Sequence, residues 1–346
     1  MQKEMTYQDI NQQRQILGEI LPNDMPLGIS IHVTNLCNFK CFYCSASQPA
    51  KKRKQDGLLL QHMPFQGFKE CIDSIARSGR VKVLNFSGWG EPLLHPHIAD
   101  MVRYAKNANV ADCVNILSNG SLLTREMSDA LIDAGVSNIR ISLQGLDAKA
   151  YEETSGVKMD IDQLVDHIRY FYENRKDSTI SLRIMDHMIT GREDEFQQKF
   201  ACICNHYEIG SLIKTLDDID FIDRGSALDK TFTGAPLLET EVCSMPFFRG
   251  YVDVDCRLMA CCMLPQPRKF GDVRKSFYDI WNGKEHLSFL LDMLSDKSQY
   301  KVCSNCEMYA TLIEKSDRLD DYRDELIAKY KALLADAEKR DGAQHE

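Results

Sequence analysis

GISIHVTNLCNFKCFYC, residues 28–44, decides the fold. Its first half, 28–34, is a short β-branched run that reads as a strand. Its second half sets Cys37, Cys41 and Cys44 at the spacing C-x3-C-x2-C immediately behind that strand. Similar runs recur at 82–87, 113–118, 138–143, 179–185 and 211–216, each bounded by turn signals. Amphipathic stretches near 63–78, 97–109, 124–134, 160–175 and 192–207 alternate with them. Six strands alternating with helices predict a parallel sheet with right-handed crossovers, and six units are fewer than a closed barrel's eight. The predicted class is therefore α/β, a partial (β/α)6 parallel barrel. Its chemistry is expected at the carboxyl ends of the strands, where the three cysteines stand.

Three thiolates on one short loop can hold three corners of a cube-shaped iron–sulfur cluster. The fourth iron then lacks a protein ligand, and an open coordination position is what a metal needs to engage a substrate. Structural zinc would want a fourth ligand, and the loop supplies none; His32 sits back on the strand and reads as packing there.

Bulk composition bounds the rest. The chain has 346 residues, 44% hydrophobic and 27% charged, enough for one large core or two modest ones. Its net charge of −9 argues against broad nucleic-acid binding. No window approaches 18 uninterrupted apolar residues, so no membrane span is expected. The first 24 residues hold no apolar signal region, and the expected location is the cytoplasm. Thirteen cysteines in such a chain suggest metal or catalysis rather than disulfides. Cys71, Cys113, Cys202 and Cys204 fall on strands or helices and read as small buried apolar side chains.

The stretch VTNLCNFKCFYCSAS, residues 33–47, resembles the cluster loop of the radical S-adenosylmethionine superfamily, including aromatic Tyr43 before the last cysteine. The resemblance implies a [4Fe-4S] cluster whose open iron chelates S-adenosylmethionine. It also implies reductive cleavage of that cofactor to a 5′-deoxyadenosyl radical, and an external one-electron donor such as flavodoxin or ferredoxin. Ser87-Gly88-Trp89-Gly90-Glu91-Pro92 looks like the family's Gly-Gly-Glu-Pro motif, departing from it by Trp89 between the glycines. Ser118-Asn119-Gly120 is similar to the family's Ser/Thr-Asn-Gly turn. The implied cofactor-binding residues are thus Tyr43, Gly88, Gly90, Glu91, Pro92, Ser118 and Asn119, joined by Ser142 and Gln144 at the fourth strand's end and Arg183 on the fifth. A surface or ion-pair role for Arg183 stands equally open.

Beyond residue 219 the alternation stops, and a Gly/Pro-bearing loop at 223–236 marks a boundary. Cys243, Cys261, Cys303 and Cys306 form a second set: the first two flank a hairpin-like run at 248–258, and the C-x2-C pair Cys303–Cys306 follows a helix near 275–294. On ligand chemistry alone, zinc and a closed iron–sulfur cluster are equally permitted. The segment resembles the cysteine-rich extension of these enzymes called SPASM in its long form and Twitch in its short form. With no cysteine after Cys306, the resemblance implies the short form and one auxiliary [4Fe-4S] cluster. Cys256 stands where the family pattern has glycine. It is a candidate hydrogen-atom donor or extra ligand, the alternative being a small residue filling a turn; Cys262 is expected to point away. The domain reading is an N-terminal extension (1–27), the barrel (28–222), a small hairpin-plus-helix auxiliary-cluster domain (237–310) and a charged C-terminal helix (311–346, its core near 312–340).

Short-extension members either oxidise or epimerise a carbinol carbon of sugars and aminocyclitols, or modify peptides. Only about 27 residues precede the first strand, too few for a leader-binding module, which favours a small-molecule substrate. The basic run Lys51, Lys52, Arg53, Lys54 suits a phosphate- or nucleotide-linked one, a solvated loop being the alternative. Arg224 is a candidate base or substrate contact. A non-catalytic metal-binding scaffold is the remote alternative to an oxidoreductase or epimerase.

Overall fold

The computed structural model describes residues 14–212, 231, 236–304, 306 and 308–343. Nine strands form one sheet in the order β6-β5-β4-β3-β2-β1-β7-β8-β9. Strands β1 (Gly28–Ile31), β2 (Val81–Phe86), β3 (Ala111–Ser118), β4 (Asn138–Ser142), β5 (Thr179–Met185) and β6 (His206–Gly210) pair in parallel, neighbour to neighbour. The six-unit partial barrel is therefore present. β1 is buried along its whole length, as a central strand covered on both faces must be.

Helices complete the crossovers: α1 (Ala50–Gln55), α2 (Phe65–Ser78), α3 (Ile98–Asn107), α4 (Arg125–Ala134), α5 (Ala148–Ser155), α6 (Ile161–Asn174) and α7 (Glu193–Lys199). Each long one buries a 3.6-period stripe; in α2 this is Phe68, Cys71, Ile72 and Ile75. Phe68 meets Phe86 of β2 edge-to-face at 5.6 Å, fixing α2 on the sheet. Side-chain caps start three of the helices: Thr124 accepts from the Met127 amide, Asp147 from Ala150 and Asp160 from Gln163.

The hairpin strands β7 (Arg249–Val252), β8 (Arg257–Met259) and β9 (Lys269–Asp272) extend the same sheet. β7 pairs in parallel with β1, Gly28 to Arg249 through Ile31 to Val252, while β8 and β9 run antiparallel. Helices α8 (Phe277–Trp281) and α9 (Lys284–Ser295) follow, then α10 (Arg323–Ala343), which lies against α9.

Several boundaries differ from the sequence reading. The sixth strand is His206–Gly210, not 211–216. At the sheet's edge a strand needs no continuous apolar run, and Ile209 is 41% exposed; residues 213–216 lie outside the described chain. The helix expected at 192–207 ends at Lys199, which frees the following residues for β6. The 275–294 helix is two, broken at Asn282-Gly283, and the 312–340 helix begins only at Arg323. Cys71 and Cys204 are buried as expected, but Cys113 and Cys202 are exposed. Among the described residues no helix is long and apolar enough to cross a membrane.

His286 in α9 is buried, its Nδ1 2.7 Å from the Trp281 carbonyl oxygen, and burial pushes its imidazole from 6.5 down to about 4. Below pH 6.5 the unfolded chain takes a proton that the folded chain refuses until about pH 4. Stability present above that window is therefore lost as pH falls through it, by about 2–3 kcal/mol at pH 4.5. His286→Gln should lose correspondingly less stability between pH 7 and 4.5 in urea titrations; an unchanged slope would mean the histidine is charged when folded.

Candidate functional site

The loop carrying Cys37, Cys41 and Cys44 leaves the carboxyl end of β1, and the ends of β2 and β3 lock it there. The Glu91 amide donates to the Leu36 carbonyl at 2.9 Å. A Cβ at position 90 would lie 2.2 Å from the Thr34 carbonyl oxygen, so only glycine allows the two loops this close. Glu91, 2% exposed, accepts from Ser118 Oγ (2.7 Å), the Asn119 amide (2.6 Å) and the Leu93 amide (2.9 Å). The Leu93 bond caps the short turn Pro92–Leu94. Three of the carboxylate's roughly four acceptor positions are thus filled from within the protein. Burial still raises its pKa, against the pull of those three donors. Asn119 Nδ2 donates to Asn38 Oδ1 at 2.9 Å, tying the third strand end to the cysteine loop. Tyr43 Oη donates to Gln144 Oε1 at 2.5 Å, and Gln144 Nε2 to the Ser142 carbonyl at 3.0 Å, anchoring the loop to the end of β4. The structure thus brings together every residue expected at the ends of β1 to β4. Arg183 lies on β5 beside Ser142 of β4 and Glu208 of β6. Arg224 lies outside the described residues.

Inside the sheet this loop borders a cavity of about 330 Å³. Tyr43, Cys44, Gly88 and Trp89 line it from the barrel side, and Tyr251, Cys262, Met263 and Met308 from the C-terminal side. Trp89, the departure from the family pattern, spans the two: its Nε1 donates to the Cys262 carbonyl at 3.0 Å, and its ring meets His32 edge-on at 4.6 Å. His32 does more than pack; it also lines the cavity.

A second cavity of about 40 Å³ is walled by Cys243, Cys261, Cys262, Cys303 and Cys306, with Met245 and Met293 beside them. The structure thus gathers the four cysteines of the second set. Cys262, expected to point away, borders both cavities, and its thiol hydrogen-bonds with Tyr251. Cys256 lines neither. It sits in the β7–β8 turn at φ 64°, the left-handed region where glycine is favoured, which accounts for the glycine of the family pattern. Its thiol turns to α2, where it hydrogen-bonds with Cys71 and would lie 3.1 Å from a Cβ at position 67. This is the helix-covered face of the sheet, so the donor and ligand roles expected of Cys256 are not supported.

The donor sets fit clusters. Burial pushes Cys37 up to about 11, Cys243 to about 12 and Cys303 to about 11. Such thiols are poor free anions but good ligands once iron shares the charge. Arg53 of α1 is close enough to Cys37 to favour its thiolate. Among the described residues no three His, Cys, Asp or Glu side chains stand close enough to hold a single ion. Tetrahedral zinc would need its sulfurs about 3.8 Å apart, whereas a cluster places irons between them.

A barrel mouth of this kind, backed by a second thiol-lined pocket, defines an iron–sulfur enzyme. Residues 31–197 match the model of the radical SAM superfamily, and residues 243–307 match SPASM, an iron-sulfur cluster-binding domain. The chain belongs to the radical SAM superfamily. Its cofactors are a [4Fe-4S] cluster, S-adenosylmethionine and an auxiliary iron–sulfur cluster. It is 36% identical over 123 residues to GTP 3',8-cyclase of Chlorobaculum tepidum (36% of this chain, 34% of the relative). It is 29% identical over 132 residues to PqqA peptide cyclase of Rhodopseudomonas palustris (38% and 32%). The matched stretches thus span about a third of these relatives. The fold resembles SuiB of Streptococcus suis bound to S-adenosylmethionine (TM-score 0.60, 15% identity, 83% of this chain and 72% of that one). It also resembles BtrN in complex with AdoMet and 2-DOIA (TM-score 0.54, 16% identity, 82% and 93%).

Anaerobically reconstituted protein should hold about eight irons per chain, falling to about four when Cys37, Cys41 and Cys44 are all replaced by alanine. About four falling to none would mean that the C-terminal thiols hold no cluster. Gly90→Ala should lose iron from the first site while keeping the second, because the added Cβ displaces the Thr34–Leu36 backbone.

Proposed function

We propose that this enzyme dehydrogenates or epimerises a carbinol carbon of a sugar-like or nucleotide-linked small molecule. In this reading Cys37, Cys41 and Cys44 hold the catalytic [4Fe-4S] cluster, and Cys243, Cys261, Cys303 and Cys306 hold the auxiliary one. An external one-electron donor of the flavodoxin or ferredoxin type reduces the enzyme. The bound cluster and S-adenosylmethionine supply hydrogen-atom abstraction. Tyr43, Gly88 and Trp89 line the cavity that would hold S-adenosylmethionine and substrate together, while Glu91, Ser118, Asn119, Ser142 and Gln144 keep the strand ends and the cysteine loop in place. Arg183 and Arg224 remain proposed cofactor and substrate contacts.

The observation that carries the reading is the shared wall: Cys262, Met263 and Met308 border both the active-site cavity and the second thiol pocket. Oxidising a carbinol removes a hydrogen atom, a proton and one further electron, and an acceptor behind that wall would lie against the substrate. If the product is an epimer, Cys262 of that wall is the candidate hydrogen-atom donor, its thiol hydrogen-bonded with Tyr251, which lines the same cavity. BtrN, of similar fold, was crystallised with 2-DOIA. A peptide-modifying maturase is the second reading, favoured by the likeness to PqqA peptide cyclase and by the fold of SuiB, which is also known bound to the precursor peptide SuiA.

Reduced holoenzyme in deuterium oxide should be offered UDP-glucose, myo-inositol and a synthetic peptide, with products read by mass spectrometry. A ketone identifies a dehydrogenase, and an epimer deuterated at one carbon an epimerase. Change in the peptide alone would replace the carbinol reading by the maturase one. If an epimer forms, Cys262→Ala should lower it to background; an undiminished yield would remove Cys262 from the reaction.

A further inference from the structure

Behind the cavity wall lies a buried charged network that the chemistry so far does not use. Asp253, at the turn after β7, is fully buried. Its Oδ1 accepts from Asn35 Nδ2 at 2.9 Å and the Val254 amide at 2.8 Å, and its Oδ2 from Lys269 Nζ at 2.6 Å. Burial opposes its ionisation, but the Lys269 and Asn35 donors outweigh this and hold the carboxyl below the usual range. Replacing such an ion pair by apolar residues is often neutral or stabilising, so stability alone does not account for it.

The group this carboxylate faces is His32. The imidazole is 1% exposed, and its Nδ1 lies 4.0 Å from Asp253 Oδ1, buried without a hydrogen-bond partner. The ring lines the active-site cavity beside Trp89. It is seated against Gly88, where a Cβ would come within 2.5 Å of it. Burial pushes its pKa from 6.5 down to about 4, Asp253 pulling the other way and Lys269 adding to the fall. The resting ring is therefore neutral, and a neutral ring can accept a proton. A carboxylate on the Nδ1 side favours the Nδ1–H tautomer, leaves Nε2 as the acceptor and stabilises the cation when it forms.

We propose that His32, facing the Asp253 carboxylate, is the proton acceptor of the active site, taking the substrate's hydroxyl proton on Nε2. The proposal rests on the dehydrogenation arm of the carbinol reading. There the carbinol gives up a hydrogen atom and an electron to the bound cofactors and its hydroxyl proton to His32, leaving a ketone.

Two measurements on the holoenzyme test it. In protein labelled with 15N-histidine, with His32→Gln used to assign the resonance, the His32 ring should be neutral from pH 8 to 5 and carry its proton on Nδ1. Asp253→Asn should abolish that preference. A proton on Nε2, or a charged ring at pH 7, overturns the assignment. With UDP-glucose and myo-inositol deuterated at their carbinol carbons, His32→Gln should lose ketone at least about 100-fold more than it loses deuterium transfer to 5′-deoxyadenosine. Equal losses overturn the proposal. If wild-type enzyme turns over neither compound, the carbinol reading has failed for these probes, while a ring proton on Nε2 or a charged ring at pH 7 still overturns His32 as the acceptor.

Discussion

Strand β1 hydrogen-bonds to β2 on one side and to β7 on the other, both in parallel. That double pairing joins segments about 220 residues apart and sets the distance between the two cysteine sets. The first set leaves the carboxyl end of β1, and the second begins a few residues before β7 and continues beyond β8. A rigid central strand can hold two sulfur sites on either side of one cavity more closely than a flexible linker between separate domains could. The Asn35–Asp253 bond, between residues 218 apart in sequence, reinforces the junction at its functional end.

Within the barrel mouth a buried carboxylate plays the corresponding part. Glu91 gathers the ends of β2 and β3 by accepting from Ser118, Asn119 and Leu93, and its own amide holds the cysteine loop through Leu36. A buried carboxylate is tolerable only when its oxygens are satisfied, so the motif is specified as a unit. Glycine at 90 follows from backbone approach and glycine at 88 from the histidine ring seated on it. Tryptophan at 89 carries the contact onward to the Cys262 carbonyl, linking the catalytic loop to the auxiliary pocket.

Much of this was legible in the chain. The βα alternation announced five of the six barrel strands within a few residues, because their short β-branched runs place a buried side chain at least at every second position over most of their length. The edge strand β6 was missed for the converse reason: His206, Tyr207 and Glu208 are only partly covered and give no such signal. The short helices α1 and α5 also lacked a stripe long enough to read. The cysteine spacings located both sulfur sites, yet misjudged the residues between them. Cys256 and Cys262 could not be told apart by composition, since a backbone turn at φ 64° sends the Cys256 thiol to α2, while residue Cys262 borders both cavities.

The sequence by itself determined the barrel and the three-thiol loop, because these depend on local periodicity and on spacings of a few residues, while the four widely spaced cysteines of the second pocket were marked out by their resemblance to the SPASM extension. Only the tertiary structure decided which groups meet across the cavity. The neighbours of His32, Trp89 and Tyr251 come from strands and turns distant in sequence, and sheet pairing rather than local preference sets their facing. The Asp253–His32 approach shows this most clearly: no spacing in the sequence links the two residues, and the parallel register of β1 with β7 brings them together.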